Sequence, residues 1–426
     1  MCSSFKKAPD TSEVPSETTS SDKSSLEQAV ICFAQLHRRL LWLKTAVTIG
    51  LIAGLTLSAK LWLSARFYPL TPVWRVLKPL PFPFDYALFG SALLSLVFVG
   101  LMRRPLKAIA LFVSLAVLLA LFDQSRWQPW FYQYVFMLIS IALAFRTQTD
   151  IVGQEKALNL CRLIMVSIYF WSGLQKMNSG FVDDVFPWLI QPVTPMLPAT
   201  IVALLARLGI VVPFVELGIG VMLLSRRFRT AGVMLAVSMH FFILLAVGPW
   251  GQNRNTVIWS WNIVMAFCVV ILFGSPSEFR VRDLLWPQKS VFHHVVLILF
   301  TVAPVLSFFR LWDNYLSWAL YAGNKNDAMV LMTDSVDEKL PDEVEQYTTD
   351  EGANLNKLVI SNWSYGELNV PPYPEIRIYN NVARAICKYA DKPTDVKLII
   401  QNKIALVGDR KQRTYDCSSL TDKWSP

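Results

Sequence analysis

Nine apolar stretches follow one another along the first three quarters of this chain. Several reach about 18 residues or more, the length a helix needs to cross a bilayer. They run roughly over 41–63, 84–102, 106–122, 130–145, 158–176, 208–224, 231–247, 257–273 and 291–311. A chain this apolar has few options. In hydrocarbon every backbone amide must be paired within its own segment or in a closed barrel, and runs of this length read as helices. The predicted fold class is an all-α polytopic membrane bundle of about nine transmembrane helices, with a small α+β extramembrane C-terminal domain. Hydrophobic residues make up 54% of the chain and charged ones 17%, which excludes a soluble domain of this length. The 15 Trp suit interfacial belts. The net charge of +9 does not point to nucleic acid, because the basic residues flank apolar segments instead of forming a basic domain.

Three regions follow. Residues 1–30 are polar, without an apolar period, and read as a disordered tail. The first apolar run is long enough to be a true span, so no cleavable leader is expected. Residues 40–312 form the bundle. Residues 313–426 are a different kind of chain, with 13 Lys and Arg against 17 Asp and Glu, while the remainder holds 27 and 14. Here β-branched runs at 358–360 and 396–400 are broken by Pro and Gly turns, including Gly408-Asp409, and 375–389 has a helical period.

Basic residues concentrate on alternate connections, at 103–107, 146–162, 226–229 and 280–289, together with Arg38, Arg39 and Lys44. The positive-inside rule then puts the N-terminus in the cytoplasm and the C-terminal domain on the far side. The first outside connection, with Arg66, Arg75 and Lys78, breaks the pattern. In an oxidising compartment Cys387 and Cys417 would form a disulfide or remain two buried thiols.

The fifth stretch ends on Lys176, with Tyr169 and Gly173 at helical spacing before it. A cation at a helix centre in a bilayer costs about 2.5–3.5 kcal/mol, so it needs a partner, a water cavity or a chemical role. It could be a desolvated base, or a lysine whose stem carries the amine to the interface. Glu216 and His240 lie in the middle of the next two apolar stretches. They could balance or relay Lys176's proton, or simply bridge helices, with Gly218 and Gly220 allowing close packing. Asn262 reads as an interhelical hydrogen-bond former. His293-His294 is adjacent, not one turn apart, and the six cysteines have no metal-ligand spacing, so no metal site is expected. The 199–208 stretch could lie at the interface, as a lid or as a plain connection.

The segment Tyr169-Phe170-Trp171-Ser172-Gly173-Leu174-Gln175-Lys176-Met177 resembles the vitamin K-dependent γ-glutamyl carboxylase and its relatives, the horizontally transferred transmembrane (HTTM) domain family. There a Tyr-Phe and a small-Gly pair precede a catalytic lysine. Asp123-Gln124-Ser125-Arg126-Trp127 is similar to that family's Asp-x-x-x-Trp loop, and Met239-His240-Phe241 with Gly251-Gln252-Asn253 to its His-bearing helix and following loop. Gly173 to Lys176 with Glu216-Leu217-Gly218 also looks like the DoxX-type membrane proteins. The resemblance covers about residues 40–312. It implies Lys176 as base, Glu216 and His240 in its support, and Tyr169 and Trp127 nearby; Asn262 joins them as a supporting residue on the residue-level reading alone. The resemblance further implies a lipophilic or quinone-like molecule arriving from the lipid bilayer. One departure bears on chemistry: Trp130 stands where the carboxylase has a functional histidine, and Pro129 where it has an asparagine. Two functions remain open at this point, a membrane-embedded enzyme and a non-enzymatic membrane subunit or small-molecule carrier. Nothing identifies a protein partner.

Overall fold

The computed structural model describes residues 20–74, 76–146, 151–274, 279–286, 290–404 and 411–420. The apolar stretches are helices: α1 (Ser20–Leu57), α2 (Phe84–Leu101), α3 (Leu106–Phe122), α4 (Pro129–Arg146), α5 (Ile151–Gln175), α6 (Ala199–Leu208), α7 (Val212–Leu224), α8 (Arg229–Val247), α9 (Thr256–Phe273) and α10 (Val291–Phe309). Among the described residues six are long and apolar enough to cross a membrane, or seven if α6 and α7, bent by 43° at their junction, count as one span. Nine spans are therefore not established. Helix α3 has only 17 residues, and α4 is not among the six or seven. Helix α1 starts at Ser20, inside the stretch expected to be a tail; residues 1–19 lie outside the described residues.

Helix α5 is the interior of the bundle. Of its span-length window, 89% is buried, against 28% for α8 and 33% for α2, whose apolar side chains face outward. The chain that ends on Lys176 is thus walled in by other helices. Its closest neighbour is α7, and glycine sets the approach. A Cβ on Gly173 would lie 2.4 Å from the Leu217 amide nitrogen, and one on Gly220 would lie 3.0 Å from the Phe170 amide nitrogen. Gly218, expected to share this role, faces open space instead.

The C-terminal domain is a five-stranded antiparallel sheet: β1 (Asp327–Thr333), β2 (Thr348–Gly352), β3 (Leu355–Val359), β4 (Val396–Gln401) and β5 (Gln412–Asp416), in the order β2-β3-β1-β4-β5. Val330 of β1 sits opposite Leu358 on one side and Leu398 on the other. Helix α11 (Ile376–Cys387) covers one face through Ile378, Val382 and Ile386, within the expected 375–389. The Gly408-Asp409 turn lies outside the described residues. Cys387 and Cys417 are bonded, with Sγ atoms 1.99 Å apart.

The domain is seated on one end of the bundle by side chains that satisfy loop backbone. Glu367 accepts from the Phe67 and Tyr68 amides at 2.7 and 2.8 Å. Asn369 donates to Leu57 O and Thr256 Oγ1, and Asn381 donates to Leu70 O. These contacts gather the end of α1 and the start of α9 under the domain, the end where α5 finishes.

Candidate functional site

Tyr169, Ser172 and Lys176 recur at spacings of three and four and so share one face of α5. After Gln175 the helix tightens, with the Lys176 amide donating to Gly173 O, and the lysine stem turns inward. Its Nζ lies 2.8 Å from Glu216 Oε2 and 2.5 Å from Ser172 Oγ. The side chains are 12% and 9% exposed, so the amine does not snorkel to water. The Gly173 crossing explains the meeting, because only a hydrogen-sized side chain lets α7 come close enough for Glu216 to reach across.

A second polar chain lies beside it. Tyr169 Oη is 2.6 Å from His240 Nε2, and His240 Nδ1 is 2.8 Å from Asn262 Oδ1. Asn262 Nδ2 donates to Ile258 O, which makes its oxygen the acceptor for the ring. A neutral His240 therefore carries its proton on Nδ1 and accepts from Tyr169 at Nε2. The phenolic oxygen keeps its lone pairs and can accept from a third group.

Both chains line one cavity of about 90 Å³. The rest of its wall is apolar, including Ile168, Met239, Ile243 and Met265. Leu189 and a strap formed by Trp318, Leu320 and Tyr321 also line it. That strap falls in the region assigned from sequence to the C-terminal domain, whose first strand starts only at Asp327. Trp318 and Tyr321 both hold left-handed backbone, φ 65° and 53°, a costly conformation for bulky residues that concentrates at functional sites. Trp188 stacks on Tyr321, and Gln252 donates to the Trp188 carbonyl at 2.5 Å. Helix α6, weighed as a lid, contributes nothing to this lining.

The cavity thus brings together Lys176, Glu216, His240, Tyr169 and Asn262. Trp127 does not line it; its ring packs on Phe131 at 5.9 Å. The rest of that loop is a clamp. Asp123 is ion-paired with Arg66, both side chains fully buried, and accepts from the Thr71 and Ser125 amides. Arg126 donates to Leu61 O, Trp62 O and Leu119 O. Trp130 is also outside the cavity, buried against Trp62 and over Gly54. Of the residues missed from sequence, Ser172 was findable, one turn before Lys176. Trp261, whose indole donates to Gln133 Oε1 at 2.8 Å, and the strap carried no local signal. His293 is buried and bonded to Leu284 O, while His294 is exposed. Among the described residues no three His, Cys, Asp or Glu side chains converge as metal ligands would.

A family model described as a transmembrane protein of unknown function (DUF3556) matches residues 190–392. That match, with the apolar helices, makes the chain an integral membrane protein. The match spans α6 to α11 and therefore includes Glu216, His240 and Asn262 but not Lys176. No curated protein and no solved structure matches the chain. The carboxylase-like relation rests on the motifs alone.

Proposed function

We propose that this integral membrane protein is a membrane-embedded enzyme, with an acid–base site for the polar end of a lipophilic molecule. The observation that carries the reading is the Lys176–Glu216 pair sharing one small cavity with the Tyr169–His240–Asn262 chain. Lys176 is the candidate base. An ammonium cannot accept a proton, so the amine must first release one, and Glu216 at 2.8 Å is placed to take it. The tyrosine oxygen, its proton directed to His240, supplies an acceptor for a ligand hydroxyl. A mostly apolar wall with a few convergent polar groups is the usual make-up of a small-molecule site.

The cavity limits what enters. At about 90 Å³ it is smaller than the roughly 150 Å³ that admits a benzene ring. A quinone ring does not fit the closed form, so no step is assigned to one. A hydroxyl or carbonyl head fits, and anything larger requires the Trp318–Tyr321 strap to move. We further propose that all nine apolar helices traverse the bilayer, N-terminus in the cytoplasm, with the C-terminal domain and Lys176 at the far side. Successive helices arriving at and leaving the domain-bearing end support this. Arg66, the exception to the charge rule, has a structural partner in Asp123 and is not a free topology signal.

A second reading is favoured by one observation. Every polar side chain of the cluster already has a partner, as expected of a structural core in a non-enzymatic subunit or small-molecule carrier. The test is mass spectrometry of lipophilic molecules co-purified with the wild type and with Lys176→Met and Glu216→Gln. A molecule retained by the wild type, and accumulating unreacted on a folded Lys176→Met protein, supports the enzyme. An identical, unaltered complement in all three supports the carrier or structural core.

A further inference from the structure

A second cavity, of about 400 Å³, lies at the junction of bundle and C-terminal domain. One wall is the end of α10 and the residues after it, Ser307 to Asn314; the other is built from Glu375–Arg377, Asn402, Lys403 and Arg413. Its two carboxylates are already engaged. Asp313 is ion-paired with Arg377 and accepts from Tyr373 Oη at 2.7 Å. Glu375 Oε1 accepts from the Asn314 amide and side chain at 2.9 and 3.0 Å.

The remaining cations are not neutralised in the same way. Lys403 is 2% exposed, and its Nζ donates to Asn314 Oδ1 at 2.9 Å and to Gln175 Oε1 at 3.4 Å, both uncharged. Among the described residues the Arg310 guanidinium donates only to the Lys403 carbonyl. The Arg413 side chain makes no hydrogen bond or ion pair among the described residues, although its backbone lies in the β4–β5 ladder. The carboxylate that acts on the Lys403 ammonium, Glu375, is not in contact with it and is already engaged by Asn314; burying a cation so weakly compensated is costly, so this wall is built for an anion. Two buried polar atoms in the same lining also have no partner among the described residues, the donor Trp312 Nε1 and the acceptor Asn402 Oδ1, the latter on a residue 3% exposed. An anion alone would satisfy the indole but not the amide oxygen, which needs a donor. Phe309 and Leu311, 55% and 68% exposed, flank the site with apolar surface.

We propose that this junction cavity binds a phosphate-bearing group that also carries a hydrogen-bond donor. The phosphate would sit between Lys403, Arg310 and Arg413, and the donor would reach Asn402. Membrane phospholipids with an amine or hydroxyl headgroup have this chemistry, and so do soluble phosphomonoesters. The site stands independently of the acid–base reading, sharing with that cavity none of its lining residues.

The test uses the full chain in detergent, with bound molecules counted by native mass spectrometry. The probes are phosphatidylethanolamine, phosphatidylglycerol, phosphatidylcholine and free glycerol phosphate. The wild type should hold one phosphatidylethanolamine or phosphatidylglycerol in preference to phosphatidylcholine, whose headgroup has no donor. Arg310→Gln combined with Arg413→Gln, both at exposed positions, should weaken retention roughly tenfold at unchanged thermal stability. Trp312→Phe should weaken it less. Displacement by glycerol phosphate at matching concentration would identify a soluble phosphate as occupant, and resistance to it a lipid. Equal binding of phosphatidylcholine, unchanged retention in the arginine variant, or no retained probe on the wild type would each overturn the proposal and leave ordered water as the filler.

Discussion

Lys176 and Glu216 form a nearly buried pair, and such a pair is revealed by removing one partner. Replacing Lys176 by Met or Glu216 by Gln alone leaves the other group uncompensated in an apolar wall, an expected cost of about 3–5 kcal/mol for a lone charge. The double variant should recover much of that loss, which thermal unfolding of all four proteins in one detergent would read directly. Additive losses would show that the pair does not act as a unit. At the domain junction the same logic gives a pH dependence. Burial, reinforced by the nearby Asp313 charge, pushes the Glu375 carboxyl up to about 7 from an ordinary 4.5. Burial holds Lys403 down to about 8 from 10.5. The folded state binds the Glu375 proton more tightly than the unfolded chain, so this contribution to stability is lost as pH rises from about 4.5 to 7. The folded state binds the Lys403 proton less tightly, so stability returns as pH rises from about 8 to 10.5. The docked domain should therefore be least stable between pH 7 and 8. Hydrogen exchange of α11 against pH measures this, and Glu375→Gln should flatten the acid limb.

Among the elements, the α5–α7 crossing decides whether the site exists. Gly173 and Gly218 are both glycines in apolar helices, and sequence alone ranks them alike. The structure separates them. Gly173→Ala puts a methyl into the α7 backbone at 2.4 Å and should destabilise by about 1–3 kcal/mol while opening the Lys176–Glu216 contact. Gly218→Ala meets open space and should be neutral or stabilising by up to about 1 kcal/mol from helix propensity. Melting temperatures of the two variants test the contrast, and equal effects would contradict the crossing. The Trp318–Tyr321 strap makes the same point. Its residues follow the last apolar helix and look like the start of a soluble domain, yet they line the bundle's cavity.

For the whole molecule, the domain-bearing end gathers the disulfide-bearing sheet, the junction cavity and the Lys176 end of α5. A single cysteine introduced at exposed Asp391 should react with an impermeant maleimide from outside the cytoplasm. Labelling only after the membrane is permeabilised from the cytoplasmic side would reverse the proposed orientation. Replacing Cys387 and Cys417 by Ser should cost the domain about 2–4 kcal/mol, because the bond closes a 30-residue separation. The bundle's helices should keep their exchange protection in that variant, since both cysteines lie in the C-terminal domain, away from the helix crossings.

Much of this was legible along the chain. Apolar runs announce helices because backbone groups in hydrocarbon have no other partners, and α2, α3, α4, α8 and α9 lie within a residue or so of the expected ranges. Helix α11 was visible from its period and β4 from its β-branched run, while the run at 358–360 touches only the end of β3 and its Ile360 begins a helical turn. Central strand β1 was not visible, because its core residues are Ala328, Val330 and Met332, a weak β-branched signal. Lys176, Glu216 and His240 stood out because ionisable groups in apolar runs are costly and therefore informative. Their partners were a matter of tertiary structure. Which glycine meets a neighbouring backbone, that Tyr169 and Asn262 bracket His240, and that Asp123 and Trp130 serve packing all depend on helix rotation and crossing. Those follow from how ten helices fill space together, and a local pattern of residues does not encode them.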